Sequence, residues 1–294
     1  MFTFINKRVL ALSMVIGSVL PAVVNAADVL TSTPTTYMLA SQLLDETSIT
    51  VSQLTPKRYG LHRQPNWFDG KGAEFVAQAA KEAEVVISMK SVWAQDPIYD
   101  HTRMSNIRLI EVDASQAISP RAESVASIKQ VDGAVSPYVW LNPANLVRMT
   151  NIIASDLVRV WPEHQQKIRD NQRSLSALIR NQQRETSAKL ASHQVDAVIV
   201  LNESLMDYSA GHNLFVVDAL FKPELEWSEQ EKNNLRSQLK EDPTLWLLTT
   251  RKPSAALKQL LGDFSQYLVV DPIDRWGRGI DGTDPLARWQ SSLM

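Results

Sequence analysis

The 294 residues contain no cysteine. That excludes a disulfide framework and a thiolate metal centre alike. An exported form of the chain must therefore rely on the size of its core, which this length permits. A basic patch is also missing: 30 Lys and Arg are interspersed among 32 Asp and Glu, which argues against nucleic acid as a partner. After residue 26 no apolar run is long enough to cross a bilayer, so the protein is not expected to span a membrane. Repeats and low-complexity tracts are absent. So are the Gly-x-Ser-x-Gly elbow, the His-Glu-x-x-His helix and the phosphate loop, and the reading is accordingly not an enzyme. Histidine is scarce, with only His62, His101, His164, His193 and His212.

What is present begins with an export signal. Lys7 and Arg8 form a basic start, Val9 to Val24 is an apolar run, and Val24-Asn25-Ala26 supplies the small residues of a cleavage site. The run is short and carries Gly17 and Pro21, which suits a cleaved signal better than an anchor. Residues 1–26 are read as a signal peptide and the mature protein as periplasmic. Its 268 residues (294 − 26) carry a formal charge of −4, since removing Lys7 and Arg8 lowers the full chain's −2 by two. That length suits two ordinary domains.

The stretch from Tyr138 to Gln194 organises the rest. Leu146, Met149, Ile153, Leu157 and Val160 recur at steps of three and four, one apolar face of a helix. Pro162 predicts a kink or a new helix start. From Glu163 to Ser192 the apolar positions thin to Ile168, Leu175, Ile179 and Leu190. A helix that polar reads as a solvated connector; a coiled-coil helix is the poorer reading, because no heptad is sustained. On either side the pattern alternates strand and helix. Before the spine, strands are expected at 29–31, 49–54, 85–89 and 107–112, with helices at 37–44 and 73–83 and a loop at 56–72. After it, strands are expected at 197–201, 215–218, 245–249 and 267–271, with helices opened by Ser228 and Ser254. The fold class is α/β: two lobes with mostly parallel sheets, joined by one long spine helix, with a ligand cleft between them. The boundaries are 27–160 for the N-terminal lobe, 161–193 for the linking helix and 194–294 for the C-terminal lobe.

Ligands of such sheets bind beyond the carboxyl ends of strands. Four residues of metal-ligand type stand there: His62, Tyr138, Glu203 and Asp271. Two come from each side of the spine, so a cleft could bring them together. Each has a plainer reading as well. His62 fits a solvated loop, Glu203 a helix cap, Asp271 before Pro272 a turn former, and Tyr138 the lining of a cleft. Trp140 reads as core, and His101 and His212 as surface loops that remain alternative sources of a nitrogen ligand. The loop Asp274-Arg275-Trp276-Gly277-Arg278-Gly279 reads as a cleft rim or a surface for a partner.

These residues resemble the metal-binding solute-binding proteins of ABC importers for zinc, manganese and iron. Pro56-Lys57-Arg58-Tyr59-Gly60-Leu61-His62 is similar to the family's Pro-rich loop ending in a ligand His. Tyr138-Val139-Trp140-Leu141-Asn142-Pro143 is similar to its His-Val-Trp-Leu-Asp-Pro motif, with Tyr in place of the ligand His. Glu203 five residues before Tyr208, and Val270-Asp271-Pro272, match the third and fourth ligand positions. The resemblance implies a periplasmic monomer that binds a transition-metal ion (manganese, zinc or iron) as cargo and delivers it to an ABC permease in the inner membrane. It implies His62, Glu203 and Asp271 as ligands. Glu203 resembles the manganese and iron branch, and the His-rich loop of zinc members is absent. Tyr138 departs from the pattern: a neutral phenol is a poor ligand and coordinates as phenolate only to a strongly acidic cation such as Fe³⁺. The departure leaves two further readings open, an accessory or degenerate paralogue carrying a metal chelate or organic ligand, and an exported metallohydrolase.

Overall fold

The computed structural model describes residues 27–276 and 284–294. The expected signal peptide, and the part of the 274–279 loop beyond Trp276, lie outside those residues. The N-terminal half comprises β1 (Val29–Thr31), α1 (Pro34–Leu43), β2 (Val51–Gln53), α2 (Gln64–Asp69), α3 (Ala73–Ala80), β3 (Val85–Ser88), α4 (Ile98–Arg103) and β4 (Ile110–Asp113). A helical hairpin follows, α5 (Pro143–Val160) and α6 (Gln165–Ser192). The C-terminal half comprises β5 (Ala197–Val200), α7 (Met206–Gly211), β6 (Phe215–Ala219), α8 (Glu229–Glu241), β7 (Trp246–Thr249), α9 (Ala255–Leu261), β8 (Tyr267–Val269) and β9 (Ser292–Leu293).

The two sheets have the orders β2-β1-β3-β4 and β6-β5-β7-β8-β9. All pairs are parallel except β8 with β9, which is antiparallel. The α/β, two-lobed, mostly parallel architecture expected from the alternation is the one observed. The strand order reverses at β1 in one sheet and at β5 in the other, which makes the loops beyond them natural ligand positions. The central strands are fully buried on both faces, as β3 (Val-Val-Ile-Ser) shows along its whole length. Val29 points into one cluster and Leu30 into another, and Val198 and Ile199 divide in the same way. This is the period-two alternation of a strand between two layers.

Local signals set the helix ends. Thr33 caps α1 and Pro34 occupies its first turn. Ser228 and Glu231 form a reciprocal capping box that opens α8. Pro162 does start a new element, a 3-10 turn at Pro162–His164 that leads into α6.

One expectation needs correction and another refinement. The 56–72 segment is not simply a loop: it holds a 3-10 turn at Leu61–Arg63 and then α2. Pro65 sits in the first turn of α2, where its missing N–H costs nothing, and Trp67 and Phe68 anchor it in the core. The connector α6 is the long, mostly exposed helix expected, but it is not isolated in solvent. It runs back along α5, with Gln172 bonded to Asn151 and Arg169 to Ser155. Ile168, Leu175, Ile179 and Leu190 form its buried stripe, narrow because it fills one groove. The Asn171 amide donates to the carbonyls of Leu43 and Asp45, while Lys189 donates to the Ser291 carbonyl. The helix, about 42 Å long at 1.5 Å per residue, therefore touches both lobes. One apolar cluster runs from Val29 and Leu39 through Trp140, Leu146 and Ile179 to Val198, Leu248 and Leu286. The lobes share a core, so relative motion between them has to disturb close packing.

Candidate functional site

The Tyr138–Pro143 motif occupies the junction of the two halves, and every letter of it has a task. The Asn142 side chain accepts from Ala144 N at 3.0 Å and caps α5, whose first residue is Pro143. Val139 and Leu141 are buried apolar fillers. Trp140 is fully buried; its indole N–H donates to the Pro272 carbonyl at 3.0 Å, and its own carbonyl accepts from the Trp289 indole at 3.0 Å. Gly211, the last residue of α7, lies so close that a Cβ there would stand 2.7 Å from Asn142 Cα. The motif thus fastens the α5 hairpin to α7 and to the strand-end loop after β8.

Tyr138 is buried, with its ring centroid 5.5 Å from that of Trp140 and the two planes tilted by 58°. Its hydroxyl lies 3.4 Å from His62 Nε2. Burial pushes its phenol well above the ordinary range, the Asp274 and Glu203 carboxylates push it further, and the Arg275 guanidinium partly opposes them. The phenol is neutral at physiological pH and reaches His62 as a hydroxyl. His62 itself is exposed, on the 3-10 turn after Gly60. Gly60 lies close to Asp274, since a Cβ there would sit 2.6 Å from Asp274 Oδ2. The 56–62 loop of one lobe and the 271–275 loop of the other therefore touch across the cleft.

Glu203 opens a 3-10 turn just past β5, capped by Asn202. Its carboxylate accepts from Val131 N at 2.5 Å, which joins it to the small hairpin closed by the Lys129–Val135 bridge. Asp271 is differently engaged. Oδ1 accepts from Ile273 N at 2.8 Å and from Arg288 Nη2 at 3.1 Å. Oδ2 accepts from Arg288 Nε at 3.0 Å and approaches Nη2 at 2.9 Å. Three of its roughly four lone-pair sites accept hydrogen bonds, two on Oδ1 and one on Oδ2.

His101 sits on α4, 3.3 Å from the Asp69 carboxylate and against the Phe68 ring, so it is a helix residue rather than a loop residue. His212 stands at the end of α7 beside the Tyr208 ring, and burial pushes its imidazole down to about 4. It lines a cavity of about 20 Å³ together with Asp271, room for about one water. Neither histidine lies on an open surface loop. Among the described residues, no group of three or more His, Cys, Asp or Glu is placed to hold one metal ion together.

Two residues at this site escaped sequence reasoning. Asp274, its side chain 14% exposed and paired with Arg275, faces Gly60 and Tyr138; its acidic position in the 274–279 loop was the available signal. Arg288 had none, being seventeen residues from its partner in an unpatterned segment.

The comparisons agree on the architecture. The family model of ZnuA, zinc-uptake complex component A periplasmic, matches residues 29–278. The crystal structure of a ZnuA is similar at 20% identity and TM-score 0.64, over 85% of this chain and 92% of that one. The metal-dependent lipoprotein YcdH from Bacillus subtilis is similar at 16% identity and TM-score 0.66, over 85% and 89%. The solute-binding protein FpvC from Pseudomonas aeruginosa in complex with Mn²⁺ is similar at 14% identity and TM-score 0.61, over 87% and 91%. No curated protein sequence matches.

Proposed function

The chain belongs to the family of the periplasmic zinc-uptake component ZnuA, and on that footing we propose that it captures a transition-metal ion between its lobes and delivers it to an ABC permease. The task is binding rather than turnover, and the cargo is manganese, zinc or iron. His62, Glu203 and Asp271 are the proposed ligands, a one-nitrogen, two-carboxylate set that water completes. Tyr138 lines the cleft beside them as a neutral phenol. The observation that most supports this reading is the convergence at Tyr138. Its hydroxyl meets His62, and the carboxylates of Glu203 and Asp274, from the other lobe, are near enough to perturb it. The shared core and the spine that touches both lobes favour small movements on loading.

A second reading is favoured by a specific feature, the cavity of about 620 Å³ beyond β5, β7 and β8. Lys222, Arg251, Arg275 and Arg288 line it together with Glu224, Asp271 and Asp274. Each cation is paired with an acid, and it is the size of the space that suits a metal chelate better than a bare ion. Elemental analysis of protein purified from periplasm without chelators separates the two. Near-stoichiometric manganese, zinc or iron with no organic companion in the mass spectrum of the native protein is the expected result. Metal-free protein, or protein carrying a small acid, replaces it with the chelate or accessory reading.

A further inference from the structure

We propose that Arg288 is a built-in counter-ion that holds Asp271 until metal arrives and must be displaced before that carboxylate can bind it, so that Arg288 sets the affinity of the cleft. This deepens the metal-capture reading and rests on it.

The geometry is that of a fork-on-carboxylate pair. Nε and Nη2 of Arg288 engage both oxygens of Asp271, and Nη1 donates to the Arg275 carbonyl at 2.7 Å. The Arg288 side chain is only 8% exposed, while Asp271 is 43% exposed. The guanidinium is therefore the fixed partner and the carboxylate the one open to the cleft. The backbone around Arg288 is held as well. The Trp289 indole is bonded to Trp140, and β9 pairs with β8 at Leu268–Leu293 and Val269–Ser292.

Two consequences follow for an arriving cation. Asp271 Oδ1 is fully engaged, by Ile273 N and Arg288 Nη2, and Oδ2 is shared with Arg288 Nε, so a cation cannot take both oxygens while the arginine stays. Asp271 also brings no net negative charge, since Arg288 cancels it, and Asp274 is matched by Arg275. Of Glu203, Asp271 and Asp274, only Glu203 has no cationic partner among the described residues, so these three acids bring about one negative charge where Glu203 and Asp271 unpaired would bring two. Any ion that uses Asp271 must first break a bidentate pair. The cost is the same for every such ion, so Arg288 raises the concentration at which metal loads without altering the order of preference. On release the guanidinium returns to Asp271, and two acids are never left facing each other unpaired.

The test uses the mature protein stripped of metal and titrated calorimetrically with MnCl₂ and with ZnCl₂. Arg288→Gln removes the charge; Arg288→Lys keeps it but cannot fork. We expect Arg288→Gln to bind at least tenfold more tightly than wild type and Arg288→Lys to fall between them. Adding Asp271→Asn to Arg288→Gln should remove the gain. Thermal melting establishes that each variant is folded. Should Arg288→Gln fail to fold, Arg288→Lys alone must still show tighter binding. Wild-type binding that is unchanged or weakened in the folded arginine variants overturns the proposal and leaves metal capture intact. If wild type and both variants bind neither ion, metal capture falls and the proposal falls with it.

Discussion

Replacing Tyr138 by Phe measures what the phenol contributes, because the substitution removes one oxygen from a packed ring and little else. Ionising an ordinary phenol at pH 7.5 costs about 3.4 kcal/mol, 2.5 pH units at about 1.36 kcal/mol each. Here burial, Asp274 and Glu203 raise that cost further. A divalent ion held by one imidazole and carboxylates has no strong reason to meet it. Truncation also removes the 3.4 Å approach of the hydroxyl to His62 Nε2, a long bond worth less than about 1 kcal/mol. Tyr138→Phe should therefore change the affinity for Mn²⁺ or Zn²⁺ by no more than about threefold. Tyr138→His, which supplies a neutral nitrogen donor, should tighten it at least tenfold, about 1.4 kcal/mol. Isothermal titration at pH 7.5 of wild type and both variants decides the matter. A loss above tenfold in Tyr138→Phe with a divalent ion would refute the reasoning and make the phenolate a ligand. With Fe³⁺, a visible charge-transfer band in wild type that vanishes in Tyr138→Phe would assign the same role.

Asp207, 2% exposed and bonded to Ser136 Oγ at 2.5 Å, gives a pH test across the junction. Burial raises its carboxyl from 3.8 to about 6, so the stability it contributes is full below about pH 4 and is lost as pH rises through 6. Relative to Asp207→Asn, wild type should lose on the order of 3 kcal/mol between pH 4 and 7.5. Urea unfolding of the pair at several pH values measures this, and a flat difference contradicts it. His212 runs the opposite way: its contribution is present above about 6.5 and fades as pH falls through about 4. It cancels in the comparison of the two proteins. Trp140→Phe leaves the Pro272 carbonyl without its indole donor and opens space in the shared core. It should cost about 2–4 kcal/mol, and a denaturant midpoint that corresponds to less than about 1 kcal/mol refutes the view of Trp140 as the interlobe fastener.

Much of the fold was legible because its causes are local. The apolar runs of β3 and β7, the Ser228–Glu231 box and the break at Pro162 act through neighbours within a few residues, and the sequence displays them directly. The 138–143 motif was legible as a unit, and so was Trp140 as core. Less legible was α2, where Pro65 reads as a loop residue until Trp67 and Phe68 find a core to enter. The polar surface of α6 likewise concealed that four spaced apolar residues bury one stripe of it while the rest stays exposed.

By itself the sequence determined the α/β alternation, the two lobes, the spine and the strand-end residues proposed as ligands. Only the tertiary structure decided what those residues touch. Asp271 reads as an available carboxylate, yet Arg288, seventeen residues on, has taken both its oxygens. Tyr138 reads as an isolated substitution, yet His62 from one loop and Asp274 and Glu203 from the other lobe surround it. The physical reason is range. Propensity, capping and periodicity act over three or four residues, whereas charge pairing and desolvation act through space between segments that only the packed core brings together.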